Sequence, residues 1–185
     1  MLNEALQQKI KDSKDVLMLA VKMSKLYYQK PLIITYSGGK DSDAMLQLAI
    51  ECLEPSDFEV MNSHTSVDAP ETVYYIREKF KELTEMGVKA TVKIPRYADG
   101  TQKTMWNLIP KKTMPPTRLM RYCCTELKET ETPNRFVATG VRASESTGRR
   151  GRESFGVLER RKADRKYYDF KHIQEVFETS ERERE

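Results

Sequence analysis

The sequence predicts an α/β protein with a doubly wound parallel sheet, and three observations carry that prediction. Short β-branched runs alternate with longer stretches of helical periodicity, the pattern of successive strand-helix units. The first such run, "LIITY", meets a glycine pair and a lysine, "SGGK", just before a helix-forming stretch. Three polar segments, "SGGKDS" after Tyr36, "HTSVDAPET" after Ser63 and "RASES" after Val141, stand at the carboxyl ends of strand-like runs, where such sheets bind ligands.

Each element can be justified in turn. Leu6, Ile10, Leu17, Val21 and Met23 recur at roughly helical spacing, so residues 3 to 29 read as one helix or a broken pair, ended by Pro31. "LIITY" is short and β-branched, as a buried parallel strand is, and "SDAMLQLAIECL" from Ser42 reads as a helix that stops near Pro55. "FEVMNSH" from Phe58 is the second strand. "PETVYYIREKFKELTEMG" opens with Pro70 in a first helical turn and closes at Gly87, where a left-handed cap is easy. "VKATVKI" from Val88 is the third strand, ended by Pro95. The proline-rich residues 95 to 118 form an excursion with one short helix around Met105 to Ile109. "CCTELKETETPN" reads as helical up to Pro133, and "RFVATGV" from Arg135 as a fourth strand. The remainder is glycine-punctuated and basic and closes on "SERERE", and no internal repeat is visible.

Composition narrows the class. Charged residues make up 32% and hydrophobic ones 38%, which suits a folded, soluble chain rather than a disordered one. No apolar run approaches the ~20 residues of a membrane span, and the polar amphipathic start is unlike a signal segment, so a cytoplasmic protein is expected. The net charge of +4 fits an anionic small molecule before it fits a nucleic acid. Three cysteines, Cys52, Cys123 and Cys124, are too few for a disulfide framework, which points to a reduced setting. Cys52, on the helix after the glycine pair, reads as a core residue.

The glycine junction is the most informative stretch. Gly38 and Gly39 remove side chains where backbone amides must come close to a ligand, and the following helix adds unpaired N–H groups and a positive dipole end. Lys40 adds a cation, Ser37 and Ser42 add hydroxyls, and Asp41 or Ser42 can cap the helix. A lone glycine pair is a turn, whereas the full string "SGGKDS" reads as an anion site. It has neither the Gly-x-x-x-x-Gly-Lys-Ser/Thr spacing nor the Gly-x-Gly-x-x-Gly pattern.

"SGGKDS" resembles the PP-loop of the adenine nucleotide alpha hydrolase-like superfamily, which includes N-type ATP pyrophosphatases and phosphoadenosine phosphosulfate (PAPS) reductases. "HTSVDAPETVYYIRE", "PPTRLMRYCCTELK" and "ATGVRASES" are similar, in order and spacing, to three further segments of the PAPS reductases, so the resemblance covers about residues 31 to 147. It implies a Rossmann-like, HUP-type fold. It also implies a PP-loop nucleotide-binding domain at 31–147 and leaves both ends uncovered: a helical segment at 1–30, and a basic extension at 148–185 that is either the end of the protein or part of a longer chain. The loop Ser37, Gly38, Gly39, Lys40, Asp41, Ser42 would hold the phosphate or sulfonate end of an adenine nucleotide, with Thr65 and Ser146 beside it and Arg142 approaching a phosphate. His64 stands where the family usually has aspartate. Asp68 is the nearest acid, and it either substitutes for that carboxylate or caps the helix before Pro70.

Cys123 and Cys124 are adjacent, which does not suit chelation of one zinc ion by the pair alone. By the resemblance such a pair joins a later pair to ligate an iron-sulfur cluster, which here needs cysteines outside this chain; otherwise the two are buried residues at a helix start. Arg118 and Arg121, just before the pair, either lower a thiolate pKa or contact a second anion, or else are solvated. The resemblance implies an enzyme acting on ATP, adenylyl sulfate or PAPS at its phosphate or sulfate end, in sulfur metabolism or sulfur modification. It would be an ATP pyrophosphatase assisted by Mg2+ or a sulfonucleotide reductase, and the reductase's carboxyl-terminal Cys-Gly segment is missing from this sequence. The alternative is a nucleotide-gated binding subunit of a DNA- or RNA-modification or defence complex. Clustered arginines with Phe155, Tyr167 and Tyr168 between them make residues 148–172 either a surface for DNA, RNA or a protein partner, or a solvated face; an oligomer is compatible with the sequence.

Overall fold

The computed structural model of the protein describes residues 4–128, 132 and 135–141. The first helix, α1 (Glu4–Tyr28), is unbroken. Gln29 turns left-handed behind it, with φ 51°, before Pro31. Burial on α1 begins only at Leu17 and includes Ala20, Val21, Met23 and Ser24, so Leu6, although at helical spacing with them, faces solvent. The Ser24 hydroxyl donates to the Lys30 carbonyl at 2.8 Å and fixes the exit into the sheet.

Four strands follow the sequence expectation: β1 (Leu32–Thr35), β2 (Phe58–Ser63), β3 (Lys89–Lys93) and β4 (Val137–Ala138). They form one parallel sheet in the order β3-β2-β1-β4, with Ile33 opposite both Glu59 and Val137, and Glu59 opposite Lys89. Successive strand side chains point to opposite faces, yet Phe58 through Asn62 are all buried, so β2 is covered on both sides. The fold is thus α/β, a Rossmann-like parallel sheet flanked by helices. Strand order runs outward from β1 to β3 and then resumes on the other side of β1. That reversal, between β1 and β4, is the switch point where an open α/β sheet leaves a crevice at its carboxyl edge.

The helices α2 (Lys40–Cys52) and α3 (Pro70–Glu85) connect β1 to β2 and β2 to β3. Gly87 takes φ +82° after α3, the left-handed end expected there. Helix α4 (Met105–Lys112) runs beyond Ile109 and through Pro110, because Thr104 caps it by accepting from the Asn107 N–H and the left-handed Thr113 stops it soon after the proline. Helix α5 (Tyr122–Leu127) ends well short of Pro133, and β4 occupies only two residues of "RFVATGV". Helix α1 packs on α2 and β1, reinforced by the Lys14–Glu51 ion pair at 2.8 Å, so the residues before the sheet belong to the same unit as the sheet. Among the described residues no helix is long and apolar enough to cross a membrane.

Candidate functional site

Tyr36 closes β1 and starts the glycine loop. Its N–H donates to the Met61 carbonyl at 2.9 Å and its own carbonyl accepts from Asn62 Nδ2 at 2.8 Å, so the end of β1 is pinned to β2. The chain then reverses at Gly38, whose φ of +72° disfavours any side chain. A Cβ there would also lie 3.0 Å from Cγ1 of Ile76 and 3.4 Å from Cγ2 of Thr72, both on α3. Gly39 is different. Its backbone is extended, with φ −95°, and a Cβ would meet only the Ser37 hydroxyl, at 3.6 Å.

Helix α2 begins at Lys40, two residues before the sequence expectation, and Gly39 is its N-cap. Neither Asp41 nor Ser42 caps it, because both already lie inside the first turn. Ser42 is buried, and its hydroxyl works within the loop: it accepts from the Gly39 N–H at 3.1 Å and the Ser37 N–H at 3.3 Å and donates to the Gly39 carbonyl at 2.7 Å. Ser37, Gly39 and Lys40 face solvent, with Gly38 and Asp41 half-buried. The first-turn N–H groups of α2 have no carbonyl partner within the helix. Lys40 has no carboxylate partner among the described residues. The loop therefore places the dipole end of α2 and a cation, Lys40, without a carboxylate partner among the described residues, at the crevice.

Three contacts beneath the loop have no counterpart in the sequence reading. The Tyr36 hydroxyl donates to Asp43 Oδ1 at 2.5 Å, and the Tyr75 hydroxyl of α3 lies 3.4 Å from Asp43 Oδ2. Burial, and then the bond to Asp43, raise the Tyr36 phenol far above its ordinary range, so it stays protonated and donating. Beyond β4, a Cβ on Gly140 would sit 2.8 Å from the Asp41 carbonyl oxygen and 3.3 Å from the Ser42 Cα. The backbone after β4 thus lies directly against the first turn of α2, and only glycine fits. Small residues after a strand hint at such an approach; Asp43, placed just after "SGGKDS", gives no local signal.

The other expected residues fall into separate places. Thr65 follows β2, is 5% exposed, and gives its hydroxyl proton to Asp68 Oδ2 at 2.6 Å. Asp68 therefore closes this turn and does not cap α3, whose N-cap is Ala69 without a side-chain bond. His64 continues the sheet, donating its N–H to the Lys93 carbonyl at 2.8 Å. Ser66 Oγ accepts from the Met105 N–H at 2.9 Å, which ties this loop to α4. Arg118 and Arg121 are exposed before α5, Cys123 and Cys124 are half-buried in its first turn, and Arg121 Nη2 lies 3.3 Å from Cys124 Sγ. Helix α5 is held to α4 through Glu126, which pairs with Lys103 and Lys112 at 3.1 Å each. Arg142 and Ser146, like residues 148–172, lie outside the described residues. A cavity of about 330 Å³ lies elsewhere, over the sheet face at Ile33, Glu59, Met61 and Thr91, and none of the expected site residues lines it.

Among the described residues no three His, Cys, Asp or Glu side chains gather. Cys52 is half-buried near the end of α2 rather than in the core, and burial pushes its thiol up. A four-thiolate cluster does not fit the three cysteines of this chain. Mg2+ needs less from the protein, since it commonly takes one or two carboxylates plus substrate phosphates.

No curated protein matches the chain in a sequence search. A scan of protein-family models matches residues 31–174 to the phosphoadenosine phosphosulfate reductase domain. With its glycine loop at the switch point of a parallel sheet and most of its length inside that match, the chain belongs to the phosphoadenosine phosphosulfate reductase domain family.

Proposed function

We propose that the protein binds an adenine nucleotide, ATP, adenylyl sulfate or PAPS, with its phosphate or sulfonate end on the loop Ser37, Gly38, Gly39, Lys40, Asp41, and acts at that end. The observation that carries this reading is the left-handed Gly38 turn into α2, with Lys40 unpaired among the described residues, at the sheet's switch point. Ser42 serves by holding the loop's shape, and Thr65 by closing the neighbouring loop, since both hydroxyl protons are already committed. Gly140 brings the end of β4 against α2, which supports a role for Arg142 and Ser146 at the same anion. Arg118 and Arg121 serve a second anionic group.

Two chemistries fit this placement. In an ATP pyrophosphatase, an acceptor oxygen attacks the α-phosphorus, the bond to the β-phosphate oxygen breaks, and pyrophosphate leaves; Mg2+ entering on the phosphates would neutralise charge. In a sulfonucleotide reductase a thiolate attacks the sulfonate sulfur, the bond from that sulfur to the bridging phosphate oxygen breaks, the adenosine phosphate leaves, and the thiol carries an S-sulfonate. An iron-sulfur cluster at Cys123 and Cys124 requires cysteines from beyond this sequence, and residues 148–172 are the surface for a DNA, RNA or protein partner. Calorimetry with ATP, adenylyl sulfate and PAPS tests the reading. Binding of one of them, weakened at least about tenfold by Lys40→Ala through loss of a charge-assisted contact, is expected. No binding of any to the wild-type chain overturns it, and tight binding of ATP without pyrophosphate release with any acceptor favours a nucleotide-gated binding subunit.

A further inference from the structure

We propose that Asp43 is a positioning residue for the nucleotide loop, acting through Tyr36. The proposal rests on the reading that residues 37–42 hold the anionic end of the nucleotide. Tyr36 is the residue before the loop and Asp43 the residue after it, and the 2.5 Å bond between their side chains closes the loop at its base. Tyr36 is 2% exposed, with its ring 5.9 Å from that of Phe80 on α3 and its backbone bonded to β2 in both directions. One residue therefore fixes the start of the loop to the sheet by its main chain and to α2 by its side chain.

The Asp43 carboxylate is occupied on the protein side. It accepts from Tyr36, and the Tyr75 hydroxyl stands 3.4 to 3.5 Å from its two oxygens, so it faces β1 and α3. A charge-assisted bond from a buried phenol to a half-buried carboxylate is stronger than a neutral one. It sets the angle at which α2 presents its first N–H groups, and it does so before the ligand arrives, which lowers the ordering cost of binding. The Gly38 contact with Ile76 and Thr72 and the Ser42 hydroxyl bonds define the loop from within; the Tyr36–Asp43 bond defines where α2 stands relative to β1.

The test uses the full chain and three variants. Tyr36→Phe removes only the hydroxyl and keeps the ring contact, Asp43→Ala removes the acceptor, and Asp43→Asn retains an oxygen acceptor. Affinities for ATP, adenylyl sulfate and PAPS are measured by calorimetry, thermal unfolding is recorded, and amide hydrogen exchange is followed over residues 36–43 without ligand. Tyr36→Phe and Asp43→Ala should weaken binding about tenfold and speed exchange in the loop while β1 and β2 exchange as in wild type; Asp43→Asn should stay within about threefold. Unchanged affinity for a nucleotide that the wild type binds, unchanged loop exchange, or exchange raised equally across the sheet each overturns the proposal. A wild-type chain that binds none of the three sinks the functional reading instead, and loop-confined exchange in Tyr36→Phe would still uphold the bond's control of loop geometry.

Discussion

The two ends of the sheet solve opposite problems. At the amino ends of the strands, charge is closed on itself. Arg135 Nη2 bonds both the Pro31 carbonyl at 2.8 Å and the Glu59 carboxylate, Lys89 reaches the same carboxylate at 3.0 Å, and Lys25 meets Asp57 at 2.5 Å. At the carboxyl end of β1, hydroxyls and backbone fix the shape of the loop, and Lys40 has no carboxylate partner among the described residues. A cation without a carboxylate partner beside a helix N-terminus is what the proposed anion site requires of this second edge.

Breaking the amino-end cluster should cost the most stability and the least binding. Glu59 and Arg135 are 12% and 16% exposed in their side chains, so Glu59→Ala strands a largely buried guanidinium and should cost about 3 kcal/mol in denaturant unfolding. Nucleotide affinity of the folded fraction should not change. Burial raises the Glu59 carboxyl pKa, but the bonds from Lys89 and Arg135 outweigh it and hold the pKa below the usual range. A folded pKa below the unfolded one gives stability that is complete above about pH 4.3 and is lost as pH falls through the folded value. Stability measured from pH 7 down to pH 3 should therefore fall less steeply in Glu59→Gln than in wild type. An equally steep fall would assign the acid sensitivity to other carboxylates.

Gly140 tests the other end. A methyl group there meets the Asp41 carbonyl oxygen at 2.8 Å, and backbone cannot swing aside as a flexible side chain can. Gly140→Ala should cost about 2 kcal/mol. Unlike Glu59→Ala, it should also weaken nucleotide binding in the protein that remains folded, because what must shift is the first turn of α2. Loss of stability with full affinity would separate β4 from the site.

The contrast also explains what could be read in advance. The strands and the glycine loop were legible because β-branched runs and a positive-φ glycine are demanded locally, at Ile33, Ile34 and Gly38. The start of α2 was misplaced by two residues because its cap, Gly39, acts by backbone alone. The run of α4 through Pro110 depends on a cap at Thr104 and a left-handed stop at Thr113, which outweigh the proline signal. Tyr36–Asp43 and Gly140–Asp41 were invisible because each is a contact between different elements, joined only once the sheet is assembled. Leu6 fits the helical period of α1, but nothing in the period says that the core begins at Leu17.

The smallest stability effect is the sharpest probe of the comparison, and it lies inside the glycine pair. Gly38→Ala is opposed by φ +72° and by Ile76 at 3.0 Å, and should cost about 1–2 kcal/mol. Gly39→Ala faces φ −95° and only the Ser37 hydroxyl at 3.6 Å, and Ala restricts the unfolded chain more than Gly, so stability should stay within about 0.5 kcal/mol of wild type. If the fold alone required both glycines, the two variants would lose stability together. If Gly39 is there so that an anion can reach the amides of α2, Gly39→Ala should unfold like wild type and bind ATP, adenylyl sulfate or PAPS markedly more weakly. Normal stability with normal affinity would leave Gly39 without a role at this loop and remove the steric half of the argument for an anion site.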